Sequence, residues 1–299
     1  MNIQSLSIVV PTHGCMNQCK FCVSRMHKEE YECLILQNAD LYRESYKNRM
    51  AFARDNGCNT VMLTGQGEPQ QNMNFLKKFA KMNAELAMPF RNIEIQTTCA
   101  GFTDETFLAL RDIGVTTISI SVSCLNDDKI NCDIINGNHT PFKLQWMCEK
   151  VKLYGMNLRL SLNMTRWTFV DNGKPNVYPN YEDIFKYCSE VLKADQVTFR
   201  KMYFDWHHEF SQQAQWLREN ELEYPNSWVK SLNEYITRNG RYLDTLEYGS
   251  KRYSVMGMST VVDEDCMAKS EEKKALKYLI LRPNCKLYTQ WDDKGSLLF

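Results

Sequence analysis

The chain has 299 residues, enough for one large α/β domain or two small ones. Hydrophobic residues make up 43% and charged residues 24%, so a substantial core can form and no disorder signature is present. Lysine plus arginine number 36 and acids number 36, a balance that excludes a surface built for bulk phosphate binding and argues against a nucleic-acid partner. A local basic pocket remains compatible with it.

The opening Met1-Asn2-Ile3-Gln4-Ser5 has no basic n-region and leads straight into a strand pattern, so no signal peptide is expected. No apolar run reaches the ~18 residues that span a bilayer. A cytoplasmic location without a membrane partner is therefore expected. The 12 cysteines are irregularly spaced, which opposes a disulfide framework. Several sit in apolar patterns, where cysteine acts as a small hydrophobe.

Short apolar runs alternate with longer helical patterns. Residues 6–10 read as a strand, 39–56 as a helix closed by Gly57, and 60–64 as a second strand. A helix over 73–87 stops before Pro89, and 92–98 form a third strand. Thr103 caps a helix running to Asp112, with Gly114 behind it; 117–123 are a fourth strand. A helix over 141–154, a strand over 157–164, a helix over 181–192 and a strand over 196–202 complete the pattern. Alternation of this kind implies a parallel sheet with right-handed crossovers.

The fold class is thus α/β, and six units suit a partial (β/α)6 TIM-like barrel. Residues 1–202 form its core, and 203–299 a C-terminal helical and hairpin extension that caps the barrel. The extension reads as helical over 206–239, then as a helix end and terminal hairpin over 275–299. Arg282-Pro283-Asn284-Cys285-Lys286 supplies the turn of that hairpin.

Side chains alternate faces along a strand. Ser119, Ser121 and Ser123 oppose Ile118, Ile120 and Val122; Arg159, Ser161 and Asn163 oppose three leucines; Thr198 and Arg200 oppose Val197 and Phe199. With the apolar faces on the helices, the barrel interior is polar. Closed barrels usually fill that space with aliphatic residues, so a polar lumen points to a ligand cavity. An antiparallel sheet with one solvated face shows the same alternation.

The segment Pro11-Thr12-His13-Gly14-Cys15-Met16-Asn17-Gln18-Cys19-Lys20-Phe21-Cys22 follows the first strand directly. Three thiolates in Cys-x3-Cys-x2-Cys order can wrap one corner of a cubane cluster, and with no adjacent fourth cysteine one iron stays open. A zinc site would need a fourth ligand, for which His13 and His27 are near enough.

Cys15, Cys19 and Cys22, with aromatic Phe21 before the last cysteine, resemble the signature of the radical S-adenosylmethionine (SAM) superfamily. The resemblance implies a [4Fe–4S] cluster on the three cysteines and SAM chelated at the open iron. It also implies reductive cleavage of the S–C5′ bond and a 5′-deoxyadenosyl radical that takes a hydrogen atom from substrate. Thr64-Gly65-Gln66-Gly67-Glu68-Pro69 ends strand two and resembles the family's Gly-Gly-Glu segment, with Gln66 inserted. Glycines let a ligand approach the backbone, and Glu68 would accept from the SAM ammonium. Ser121, Ser123, Asn163 and Arg200 lie where the family places further SAM contacts. The likeness covers about residues 5 to 202, and the isolation of Cys266 and Cys285 argues for a single cluster.

The same resemblance implies oxygen sensitivity and an external reductant such as flavodoxin or ferredoxin. A small-molecule substrate in the lumen is expected, at family level a nucleobase or deazapurine such as queuine undergoing lyase-type cleavage. An RNA- or peptide-modifying enzyme and a non-enzymatic iron–sulfur or zinc protein are the competing readings. Candidate substrate contacts are Gln96 and Thr98 on strand three, Arg159 on strand five, and Tyr288, Trp291 and Asp292 near the C-terminus. His207 and His208 follow strand six and carry imidazoles that titrate near neutrality.

Overall fold

The computed structural model describes residues 2–26, 42–135, 143–204, 208–222, 227–267, 275–291 and 294–298. His27, His207 and Asp292, with the outer ends of the expected helices at 39–56, 141–154 and 206–239, lie outside them.

Six strands occupy the expected places: β1 (Asn2–Val10), β2 (Thr60–Gly65), β3 (Asn92–Thr97), β4 (Thr117–Val122), β5 (Asn157–Asn163) and β6 (Gln196–Arg200). Each pairs in parallel with the next. One face of every strand is apolar: Leu6, Ile8, Leu63, Ile95, Ile118, Leu160 and Phe199 lie in one buried core. Helices cover that face. They are α1 (Val23–Met26), α2 (Arg43–Asp55), α3 (Met73–Ala84), α4 (Asp104–Asp112), α5 (Asp128–Ile135), α6 (Leu144–Leu153) and α7 (Tyr181–Lys186). They contribute Met50, Phe79, Phe107, Met147 and Phe185 to the same core. Each such side chain adds about 1.5–3 kcal/mol by leaving water. Thr103 and Thr106 form the capping box that starts α4, and Gly114, at φ +89°, lets the chain turn into β4. α7 continues as a π-helical turn over Tyr187–Val191, so the expected helix over 181–192 is present but not α-helical throughout.

The sheet goes further than six strands. After α8 (Gln212–Asn220) and α9 (Ser227–Asn239) comes a meander of β7 (Arg241–Thr245), β8 (Lys251–Val255) and β9 (Met258–Asp263). β9 docks in parallel beside β6, with Arg200 opposite Asp263. β10 (Ala275–Leu281) docks in parallel on the other edge, with Ser5 opposite Tyr278. β11 (Leu287–Tyr288) returns antiparallel to β10 and completes the expected hairpin. The helix end expected at 275 is strand instead, because β1 otherwise has an unpaired parallel edge.

Eight strands therefore run parallel in the order β10-β1-β2-β3-β4-β5-β6-β9. The barrel does not close by backbone pairing. Side chains span the seam between the β9 and β10 edges: Lys277 Nζ donates to Asp263 Oδ1 and to the Asp265 carbonyl, both at 2.5 Å, and Tyr248 N–H donates to Gln4 Oε1 of β1 at 3.2 Å. Among the described residues no helix is long and apolar enough to cross a membrane.

Candidate functional site

The cysteine loop leaves the C-terminal end of β1 and closes into α1, so its thiols sit at the end of the barrel where parallel-barrel sites are built. Cys15, Cys19 and Cys22 line one cavity of about 250 Å³. Among the described residues no three Cys, His, Asp or Glu side chains converge on a single-ion site. Zinc would require that convergence. A cubane does not, since each thiolate takes a different iron, and the donor set fits it. His13 points to solvent. Burial holds all three thiols above the ordinary cysteine range, most strongly Cys19, where nearby Cys22 and Glu68 add to it. Iron binding displaces those protons.

The loop is fastened from three sides. Lys20 N–H donates to the Ile134 carbonyl at 3.0 Å, and its ammonium pairs with Asp133 at 3.0 Å. Met16 N–H donates to Gln71 Oε1 at 3.1 Å. Asn17, 1% exposed, donates through Nδ2 to Glu68 Oε1 and to Thr98 Oγ1, both at 2.8 Å. The other carboxylate oxygen of Glu68 accepts from Thr97 Oγ1 at 2.5 Å, Thr98 N–H at 3.0 Å and Gln70 Nε2 at 3.2 Å. Glu68 lines the cavity, but its carboxylate is taken up by protein donors. Gly67 meets the same loop: a Cβ there would run into the Gly14 carbonyl and come within 2.6 Å of Thr12 Oγ1.

Opposite the loop stands a polar wall. Asn163 Nδ2 donates to Ser121 Oγ at 3.1 Å and Ser123 Oγ at 3.2 Å. Ser123 is fully buried behind that wall and off the cavity surface, while its N–H is capped by Asn131. Phe21, Gly65, Gln66, Gly67, Glu68, Ser121, Asn163 and Arg200 all line the cavity, as do Gln96 and Thr98. Phe21 also packs on Trp216 of α8, ring centroids 6.0 Å apart. Two buried polar atoms on residues that line this space lack hydrogen-bond partners: Ser161 Oγ, on a residue 3% exposed, and Arg200 Nε. Orphaned buried groups of this kind fit a polar ligand.

The comparisons with known proteins agree with this geometry. Residues 9–168 match the radical SAM superfamily. The chain belongs to that superfamily. Membership makes it an enzyme and brings a [4Fe–4S] cluster and SAM as its cofactors. No curated protein matches the sequence. In fold, the chain is similar to Streptococcus suis SuiB bound to S-adenosylmethionine, at TM-score 0.60, 15% identity, 96% of this chain and 60% of that one. It therefore spans about 60% of the length of SuiB. Native anSMEcpe with bound AdoMet and Cp18Cys peptide matches at TM-score 0.54 and 14% identity, over 96% and 73% of the two chains. Escherichia coli HemN, a coproporphyrinogen III oxidase and radical SAM enzyme, matches at TM-score 0.52 and 14% identity, over 80% and 54%.

The substrate candidates separate. Trp291 and Gln96 line a second cavity of about 200 Å³ at the barrel mouth, which shares Gly65, Gln66 and Arg200 with the first. Arg159 lies deeper, in a lumen cavity of about 220 Å³, bonded to Glu94 at 2.5 Å and to Gln196 at 2.7 Å. Tyr288 is buried with Val9, Tyr278 and Ile280 beside the mouth and lines none of the three cavities. Asp292 falls outside the described residues. Sequence reasoning missed Asn17, Tyr278 and Cys266. Asn17 carried one available signal, a polar residue held inside the cysteine motif. Cys266, whose thiol burial pushes up to about 11, lines both the cluster cavity and the mouth; nothing near it in sequence marked it.

Proposed function

We propose that this chain reductively cleaves SAM and removes a hydrogen atom from a small molecule held at the mouth of the barrel. The supporting observation is convergence: three cysteines, the glycine segment over 65–68 and the Ser121–Asn163 wall share one cavity that opens into the mouth. When bound, the cluster supplies the electron that breaks the S–C5′ bond of SAM and so generates the radical. Cys15, Cys19 and Cys22 would hold it. The protein's own work is then positional. Gly65 and Gly67 bring the backbone up to the cavity, Ser121 and Asn163 offer polar contacts to SAM, and Phe21 packs on Trp216 beside the loop. Ser123 orients Asn163 from behind. Flavodoxin or ferredoxin would deliver the electron.

The finer reading is a planar heterocycle of the nucleobase or deazapurine class, with lyase-type bond cleavage. The aromatic side of the mouth, Tyr278 and Trp291, supports it. A peptide substrate is the second reading, favoured by the likeness in fold to SuiB bound to precursor peptide SuiA, at TM-score 0.56. Anaerobic reconstitution with iron and sulfide, then dithionite and SAM, tests the proposal by production of 5′-deoxyadenosine. Replacing Cys15, Cys19 or Cys22 by alanine should abolish that product. A protein carrying a full cluster and yielding none would retire the reading.

A further inference from the structure

Resting on that reading, we propose that the substrate is a small carboxylate with an aromatic or branched apolar body, its carboxylate paired with Arg200. The mouth cavity has two kinds of wall. Val9, Met62, Tyr278 and Trp291 form one apolar side, where the Tyr278 and Trp291 rings meet edge to face with centroids 6.0 Å apart. Such a surface holds a flat or branched hydrocarbon body.

The other side is cationic. Arg200 and Arg282 are the charged residues among the described lining, and no carboxylate accompanies them. Arg282 is used structurally: its guanidinium donates to the Trp291 carbonyl and lies 5.0 Å from the Tyr288 ring centroid, which fixes the apolar wall. Arg200 makes no such structural bond among the described residues: its Nε, like that of Arg282, has no hydrogen-bond partner, and its ion pair with Asp263 Oδ2 spans 3.9 Å, beyond hydrogen-bond reach. Asp263 already accepts from Lys277 at 2.5 Å. The next arginine along the sheet, Arg159, bonds Glu94 directly, and Glu94 also accepts from Gln96. Asp263 is thus shared between Arg200 and Lys277, and its hydrogen bond goes to Lys277. A half-buried guanidinium without a hydrogen-bonded carboxylate can take an incoming one in a fork of two hydrogen bonds. Arg200 borders the cluster cavity, the mouth and the deep lumen together, so an anion placed on it sits where the three meet.

Matched ligands test this. Calorimetric titration of the anaerobically reconstituted protein, with SAM present, would compare indole-3-acetate, indole-3-acetamide and tryptamine, then 3-phenylpropionate with its amide and amine. The acids should bind at least about tenfold more tightly than the amides, a preference of the size charge-assisted bonds give, and the amines should not bind. Arg200→Gln should bring the acids down to the level of the amides, while Arg200→Lys should keep part of the preference. An equal affinity for acid and amide in the native protein overturns the proposal. So does a preference that survives Arg200→Gln, or no binding of any acid up to about 1 mM. Loss of SAM affinity in Arg200→Gln with the acid preference intact would assign the arginine to the cofactor instead. Measuring 5′-deoxyadenosine without added ligand separates the two readings: its absence counts against radical chemistry, whereas cleavage without any acid preference counts against the carboxylate alone.

Discussion

Asn17 of the cysteine loop donates to Glu68 beside the cluster cavity, and their bond at 2.8 Å joins the loop to the segment that follows β2. A hydrogen bond to a charged group is worth about 1.5–3 kcal/mol, and leaving a buried partner unsatisfied costs a similar amount. Glu68→Gln puts an amide donor among protein donors, so the bracket fails although the shape is kept. Iron and sulfide per chain after reconstitution should fall by more than about half, and Asn17→Ala should do the same. A Glu68→Gln protein with a full cluster but weakened SAM binding would mean that the carboxylate serves the SAM ammonium, as the family resemblance implies. Gly67→Ala is the steric counterpart. Its Cβ would press on Thr12 Oγ1, a side-chain hydroxyl, and on the Gly14 carbonyl, which belongs to the loop backbone and cannot swing aside alone. Reconstituted absorbance near the iron–sulfur band should drop with no change in far-ultraviolet dichroism; an unaltered cluster would show that the loop relaxes.

At the level of elements, the first six strands were readable because each places alternate apolar residues on one face within a few positions. The helix caps were readable for the same local reason, Thr103 and Gly114 among them. β9 and the start of β10 were not. Their strand state depends on edges offered by β6 and β1, and Lys277 inside β10 breaks the apolar alternation. That lysine is tolerated because Asp263 across the seam accepts its charge. Removing one member of a buried pair typically costs about 3–5 kcal/mol. Lys277→Met should therefore lower the thermal midpoint by several degrees, and adding Asp263→Leu should recover most of the loss. A single variant as stable as the native chain would show that the seam needs no latch. Burial alone would lower the Lys277 pKa, but Tyr278 and Asp263 outweigh it and raise it. A raised cation contributes its stability in full below the ordinary lysine value, about 10.4, and loses it only as pH climbs through the folded value. The urea midpoint difference between native and Lys277→Met protein should stay flat from about pH 6 to 9 and shrink only in stronger alkali.

For the whole molecule, the site was legible where chemistry is carried by contiguous residues, as in the cysteine run and the glycine segment. It was illegible where distant segments meet, as Arg200 does with Tyr278 and Trp291 at the mouth. The same non-locality governs stability. β10 is bonded to β1 through six registered residue pairs, and Leu279 and Leu281 lie in one core with Leu6 and Ile8. β9 covers the free edge of β6 in the same way. A fragment of residues 1–202 would therefore expose both parallel edges and the apolar face beneath β1, a state prone to edge-to-edge association. Expressed alone it should aggregate or remain expanded, with near-ultraviolet dichroism lost, while the full chain unfolds cooperatively. Cooperative unfolding of the fragment would mean that six strands suffice. The strands after residue 202 would then shape the mouth of the site without holding the barrel together.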